Sequence, residues 1–447
     1  MALINTFDSL ARWVSLKAEM YFNGLDAAAT TFDGSLIIDC HFLEELAADS
    51  DDPLGVVSSN EVNMKLRNVG RKFTPTNTNS PFHGKMGLGI PCKLYMGIKQ
   101  AGNWQWVFMG TYYTCEWQTN ETDVTVTVVM QDKLSQWAQV SLRDLLPQRN
   151  IKANDYIAYV LKCAGFKPNE FVIDTAINHT LTYGWVKGKT LLKVLSELSR
   201  GLGCYIYMGR DDKLYVQKMF KQRNNVHTLH GATNIQKTDV NYTILNNYTG
   251  ATVNVNHPTT EMSSQIASLD NLVVPPHGEL VLTDVEYTRS PILRMAYARV
   301  SANTNNLVEV RRISPRTWDC DVVLYNPTGA EQVCSLKLFG DYLEDSYTAY
   351  HSNKESQNVL QVKESLIQDE NFAKQYCADI AKALNTENTP RLKIAVRGNP
   401  LIQLGQQVHV DSTTEFVNVN LLITRSELSY DGGLSGTIEG LIAKEGN

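Results

Sequence analysis

The run Lys187-Gly188-Lys189-Thr190 is the first place where chemistry can be read into this sequence. A Gly-Lys-Thr opening a helix can hold phosphates, but that loop needs a glycine five residues upstream so that backbone N–H groups can turn inward. Tyr183 stands there, and Gly184 is one residue out of register. Thr190 reads instead as a helix N-cap. His227 and His230 are three apart in an extended polar stretch. On a strand they face opposite sides, and no cysteine or carboxylate lies close enough in sequence to complete a metal set. Glu44, Glu45, Asp49, Asp51 and Asp52 gather acids before Pro53 and Gly55. A glycosidase needs two carboxyls at a set separation in a cleft, so adjacent acids in a turn-rich stretch read as a solvated loop. Trp104, Trp106, Trp117 and Trp137 could stack on sugars, but in strands of this pattern they are expected in a core or an interface. There is no Gly-x-Ser-x-Gly elbow and no Cys/His pairing. No catalytic residue, cofactor or metal site is expected.

The chain has 447 residues, enough for about three domains at ~150 residues each. It is 43% hydrophobic and 20% charged, which excludes global disorder and a coiled coil. Net charge is -6, and Lys and Arg are scattered without a basic stripe. Such a surface repels DNA, which can at most pass by. None of the 8 cysteines forms a CxxC pair, and most sit among apolar neighbours, as expected of free buried thiols in a reducing cytoplasm. There is no signal-peptide pattern and no apolar run near the ~20 residues a membrane span needs.

These side chains must be positioned mostly by strands. To about residue 150, short alternating runs such as Val62-Asn63-Met64-Lys65-Leu66 and Cys92-Lys93-Leu94-Tyr95-Met96 are separated by Gly, Pro and Asn clusters, the pattern of a barrel or sandwich. From Ser141 the texture changes. Tyr156, Ile157, Val160 and Leu161 share a helical face ending at Gly165. A second helix from Thr190 to Arg200 carries Leu191, Leu195 and Leu198 and closes at Gly201. Cys204–Met208 and Lys213–Val216 pair around the turn Gly209-Arg210-Asp211-Asp212. Strands resume after 235. One helix is expected over 370–384, on Phe372, Tyr376, Ile380 and Leu384, and Pro390 precedes the last strands. No sequence repeat is visible.

In order, the segments resemble the phage tail hub family. Met64 to Asn68, then Phe73-Thr74-Pro75, Asn77, Ser80-Pro81 and Gly84, is similar to that family's strand, Phe-x-Pro turn and Asn-x-x-Ser-Pro segment. Gly89-Ile90-Pro91, Phe108-Met109-Gly110 with Trp117, and Val124 to Met130 with Asp132-Lys133-Leu134 follow as its next strands do. Val274-Pro275-Pro276-His277-Gly278, Tyr287 and Pro291 resemble the start of its central β domain. Asn326-Pro327-Thr328-Gly329 and Leu336 to Gly340 are similar to strands within it. Gly398-Asn399-Pro400, Leu404-Gly405-Gln406 and Tyr430-Asp431-Gly432-Gly433 resemble its C-terminal module. Relatives often carry Gly-Asp-x-Val where this chain has Gly405-Gln406-Gln407-Val408. Gln406 can still make turn hydrogen bonds.

The resemblance implies a mainly β fold with smaller α/β parts. It has two barrel-like tube domains, an inserted small α/β domain and a central β-rich domain. The expected boundaries are 1–150 for the first tube domain, 151–232 for the α/β domain, 263–390 for the central domain, and 233–262 with 391–447 for a discontinuous second tube domain. It also implies a structural tail hub in the virion, made in the host cytoplasm. Three copies would form a ring joining tail tube or distal tail protein to baseplate or wedge proteins and to a spike or tail-tip protein. DNA would cross the lumen only in transit, past acidic side chains of the tube domains, with no stable membrane insertion. A carbohydrate-binding adhesin of a tail tip is the alternative.

Overall fold

The computed structural model describes residues 2–9, 11–46, 54–231, 233–241, 248–302, 307–352, 358–384, 391–412 and 417–443. The chain is mainly β, as the alternating runs require. The first strands are β1 (Val14–Met20), β2 (Thr30–Phe32), β3 (Ile37–Glu45), β4 (Glu61–Arg67), β5 (Pro91–Gln100), β6 (Asn103–Asn120) and β7 (Thr125–Asp132), with helices α1 (Ala2–Phe7) and α2 (Lys133–Trp137). In β4, Val62, Met64 and Leu66 are buried while Glu61, Asn63 and Lys65 remain partly exposed. Period two therefore points every second side chain into one core, shared with Phe7, Leu16, Phe42, Leu94 and Met130. Burying a Leu or Met of this kind contributes about 1.5–3 kcal/mol.

The α/β unit comprises β8 (Gln148–Lys152), α3 (Ala153–Cys163), β9 (Phe171–Ile173), β10 (Thr180–Gly184), α4 (Leu191–Leu202), β11 (Cys204–Met208) and β12 (Leu214–Lys218). The expected stripes of both helices form its core. Two details differ from expectation. Thr190 is the N-cap residue of α4 but its side chain makes no cap hydrogen bond. The helix runs through Gly201 and ends at Gly203, whose left-handed φ of 60° a glycine adopts without Cβ strain.

Next come β13 (Asn225–His230) and β14 (Ile235–Asn241), then β15 (Gly250–Asn256), β16 (Thr259–Val274), β17 (Glu279–Glu286), β18 (Ile292–Ala302), β19 (Glu309–Pro315), β20 (Asp319–Tyr325), β21 (Gln332–Glu344), β22 (Tyr347–His351), β23 (Val359–Lys363) and α5 (Glu370–Leu384). The sheets β16-β21-β18 and β17-β20-β19 enclose one core around Val322, Leu324, Leu336 and Leu338. Grouped by sequence with the second tube domain, β15 instead ladders with β22 and β23. Its Ala251, Val253 and Val255 complete the core under α5, which buries Ala373, Tyr376, Cys377, Ile380 and Leu384. Pro390 lies outside the described residues.

The last strands, β24 (Arg391–Val396), β25 (Gln407–Ser412), β26 (Val417–Tyr430) and β27 (Leu434–Ala443), return to the first sheet. Among the described residues that sheet has 13 strands and contains the same pattern twice. The order β14-β24-β27-β26-β25 repeats β3-β4-β7-β6-β5. The irregularities coincide too. A bulge falls between Ile37 and Asp39 in one module and between Ile235 and Lys237 in the other. A second falls between Thr114 and Glu116, and between Ile423 and Arg425. The Arg67 N–H bonds to the Leu36 carbonyl just as the Arg397 N–H bonds to the Asn234 carbonyl. The flanking strands differ, since β1 runs antiparallel to β5 whereas β13 runs parallel to β25. The modules join because β26 also ladders with β3, from Arg425↔Glu45 to Tyr430↔Cys40.

Candidate functional site

Bulges are set features of a ladder, and two matched ones keep the same alternation in both modules. One side of the sheet therefore stays on the cores and the other stays polar across the seam. Across the polar side, Lys393 stands opposite Glu439, Glu439 opposite Arg425, and Arg425 opposite Glu45. The next rows pass through Thr437, Glu427, Leu43, Glu61 and Gln131, and through Ser429, His41, Asn63, Val129 and Glu116. Asp39, Lys65, Thr127 and Gln118 form another row. Among the described residues in the rows on β3, β4, β6, β7, β26 and β27, the carboxylates Asp39, Glu45, Glu61, Glu116, Glu427 and Glu439 outnumber the cations Lys65, Arg67 and Arg425, while Lys393 on β24 and Lys237 on β14 add positive charge at the flank. Partial burial raises the Glu45 pKa; Arg425 opposes this, while Glu427, Glu439 and Glu61 add to it. Burial likewise raises Asp39, against Lys65 and with Asp431. These central rows are net acidic and repel a polyanion.

A buried junction supports this face from behind. Arg210, at the β11–β12 turn, donates to both carboxylate oxygens of Glu44 at 2.7 Å and to the Pro400 carbonyl. Each side chain of the pair is only 3% exposed. Asp212, in the same turn, accepts from the Thr111 N–H and hydroxyl at 2.8 and 2.7 Å. The Asn60 side-chain amide donates to the Met208 carbonyl. A cavity of about 120 Å³ adjoins them, lined by Glu44, Tyr207, Arg210, Gln217 and Gln406 among others. One hairpin turn thus grips both sheet modules. Glu44 is therefore no part of a solvated loop, and Glu45 lies within β3; both correct the sequence expectation. Asp49, Asp51 and Asp52 lie outside the described residues.

The other chemical candidates are dispersed. His227 pairs with Asp8 and His230 with Asp411, so the two do not converge. Among the described residues no group of His, Cys, Asp or Glu is arranged to hold a metal. The Lys187 N–H is taken by Glu197, and the Lys189 ammonium by Glu286. Trp117 and Trp137 pack on cores, but Trp104 and Trp106 are 39% and 37% exposed and stack with ring centroids 5.7 Å apart. No described helix is long and apolar enough to cross a membrane.

The family-pattern residues sit at turns and junctions. The Asn68 side chain accepts from the Phe73 N–H, and the Phe73 ring packs between Phe82 and Trp117. The Pro75 carbonyl faces the His83 ring, and the Ser80 hydroxyl donates to the Lys72 carbonyl just before Pro81. Gly110 has φ 117° beside the β6 bulge, where Met109 is the extra residue against Leu94 and Tyr95. Asp132 caps α2 by accepting from the Leu134 N–H, and it also holds the Asn60 N–H; burial, reinforced by Glu44, pushes its pKa up to about 7 against these bonds. The Asn326 side-chain amide donates to the carbonyls of Val274, Pro275 and Ala330. A side chain at Gly340 would strike the Arg294 carbonyl. Gly398 offers its carbonyl to Arg12, and Asn399 donates to Asp8. Gln406 accepts from the Gln403 N–H, making the turn bond expected of it beside Gly405. Gly432 and Gly433 form the β26–β27 turn, where the Asp431 carboxylate takes the Gly433 N–H.

No protein-family model matches the chain, and no curated protein matches it in sequence. Solved structures match it in fold. The 43 kDa tail protein of prophage MuSo2 from Shewanella oneidensis aligns with a TM-score of 0.52 at 12% identity, over 97% of this chain and 98% of that one. The tail protein from Neisseria meningitidis MC58 aligns with a TM-score of 0.52 at 10% identity, over 96% of both chains. Along nearly its whole length, this chain carries the fold of phage tail proteins, as the ordered motifs implied.

Proposed function

We propose that this chain is a structural tail hub, resident in the virion, three copies of which form a ring between the tail tube and the baseplate or tail tip. The carrying observation is the doubled module, with matched bulges and a single polar face running through the β26–β3 seam. Two like modules per chain let three chains present six like positions. In this reading the strand groups around β3–β7 and β24–β27 are the tube domains. Their acid-rich face lines the lumen, and DNA slides past it without adhering. A tube or distal tail subunit stacks above, and baseplate and spike or tip proteins attach below. Light scattering on the purified chain tests the ring, since three chains of 50.1 kDa are expected per particle. An electron cryo-microscopy map with the Glu45–Glu427 face turned outward would refute the lumen assignment.

The half-exposed Trp104–Trp106 stack favours a second reading, in which the chain recognises a host glycan. Glycan binding by the isolated chain, lost in Trp104→Ala, would support it.

A further inference from the structure

The doubled module makes a prediction about its own ends. Within the chain, the second half of β26 has β27 on one side and β3 on the other. The matching half of β6, Glu116 to Asn120, has β7 on one side, while its pairing with β5 stops at Tyr113. The counterpart of β3 is β14, which ends the sheet with β24 as its sole ladder partner among the described residues. Each module thus carries one half of a seam that is closed once per chain and left open once. Exposure agrees with this. At the closed seam Leu428 is buried and Glu427 and Ser429 are partly buried, whereas their counterparts Thr119, Gln118 and Asn120 are exposed. A groove of about 380 Å³ crosses the polar face from β4 to this end of β6, lined by Lys65, Thr127, Gln118, Thr119 and Asn120 among others.

We infer that the open edge of β6 is completed by β14 of a second copy of this chain, antiparallel and in the register of the β26–β3 seam. The matched bulges fix that register. Gln118 corresponds to Glu427, since each faces a threonine of the next strand, Thr127 or Thr437. Asn241 corresponds to Leu43, one step beyond the ladder pairs Val240↔Leu392 and Phe42↔Val62. The observed pair Glu427↔Leu43 therefore becomes Gln118↔Asn241 between copies. Likewise Leu428↔Phe42 becomes Thr119↔Val240, and Ser429↔His41 becomes Asn120↔Asp239. Unpaired ladder groups on a long edge strand favour strand addition, and a head-to-tail contact of this kind generates a ring when its rotation closes. The inference rests on the three-copy ring proposed above and names the surfaces that build it.

The test is the double variant Gln118→Cys, Asn241→Cys, oxidised and run without reductant, with each single variant and the wild type as controls for the native thiols. Within one chain the two positions are separated by β24, β27, β26, β3, β4 and β7, so a bond between them must join two copies. Disulfide-linked dimers and trimers, stopping at three and absent from the controls, are the expected result. A wild type that is trimeric by light scattering, with a double variant that does not cross-link, overturns this seam and leaves the ring standing. A wild type that stays monomeric at every concentration overturns the ring itself. A ladder extending past three keeps the seam and refutes the three-copy closure. Should the double variant not fold, hydrogen exchange on the wild type decides: amides of Glu116 to Asn120 must slow at least tenfold on trimerisation, and unchanged exchange overturns the seam.

Discussion

Replacing Arg210 by methionine tests the idea that one hairpin turn locks the α/β unit to both sheet modules. In the native chain the guanidinium makes two 2.7 Å bonds to Glu44 and a third to the Pro400 carbonyl, with both charged side chains 3% exposed. Methionine keeps most of the side-chain volume, so little cavity is opened. What remains is a buried carboxylate without its counter-ion and a carbonyl without its donor. An uncompensated buried charge costs about 3–5 kcal/mol. The companion variant Arg210→Met, Glu44→Leu removes both charges and should return to within about 1–2 kcal/mol of wild type. Because the chain holds several separate cores, its unfolding need not be all-or-none. The assay is therefore urea denaturation followed by tryptophan fluorescence, scored at the first transition, together with limited proteolysis of the 205–218 hairpin. Early cleavage in the single variant and protection in the double variant are expected. A single variant within about 1 kcal/mol of wild type would refute the reasoning, and so would a double variant less stable than the single.

Three further outcomes can be checked by the same denaturation assay. Gly405→Ala must combine a φ of 73° with a Cβ placed 2.3 Å from the Tyr207 hydroxyl, and should cost about 2–4 kcal/mol; Gly432→Ala, at φ 98° with open space around it, should cost only the backbone strain of about 1–2 kcal/mol. Asp132, whose pKa is held up at about 7 in the fold against 3.8 for a free side chain, keeps its proton in the folded chain where the unfolded chain has lost it. Stability should therefore fall as pH rises from 4 to 7, by at most about 1.4 kcal/mol per pH unit, and Asp132→Asn should remove that slope. Arg12→Ala withdraws a guanidinium that donates to the carbonyls of Phe7, Arg397, Gly398 and Leu434, and should free the N-terminal segment to proteases at a cost of about 2–3 kcal/mol.

The strands and helices were legible because their signals are local. Val62-Asn63-Met64-Lys65-Leu66 alternates as a half-buried strand must, and Leu191, Leu195 and Leu198 stack on one helix face. Glu44 was misread because its partner Arg210 is 166 residues away, and nothing near Glu44 in sequence announces a buried counter-ion. The doubling stayed hidden for a different reason. The modules share bulge positions and ladder order but not residues: Asn63 and Met64 occupy the places of Lys393 and Ile394. Backbone register can be kept by any side chains that alternate correctly, so it leaves no letter-by-letter trace. The bulge between Thr114 and Glu116 also has no glycine to mark it.

The β26–β3 ladder has a consequence for assembly kinetics. Because this join lies within one polypeptide, half of the joins in the proposed three-copy ring would already be made when each chain folds. Their effective concentration is set by chain connectivity and not by the number of copies in the cell. Three bodies must then meet instead of six, so the ring can close at a far lower protein concentration than six separate modules would need. The covalent link also fixes stoichiometry and order: one module of each kind enters at every addition, and no ring can be built with two first modules side by side.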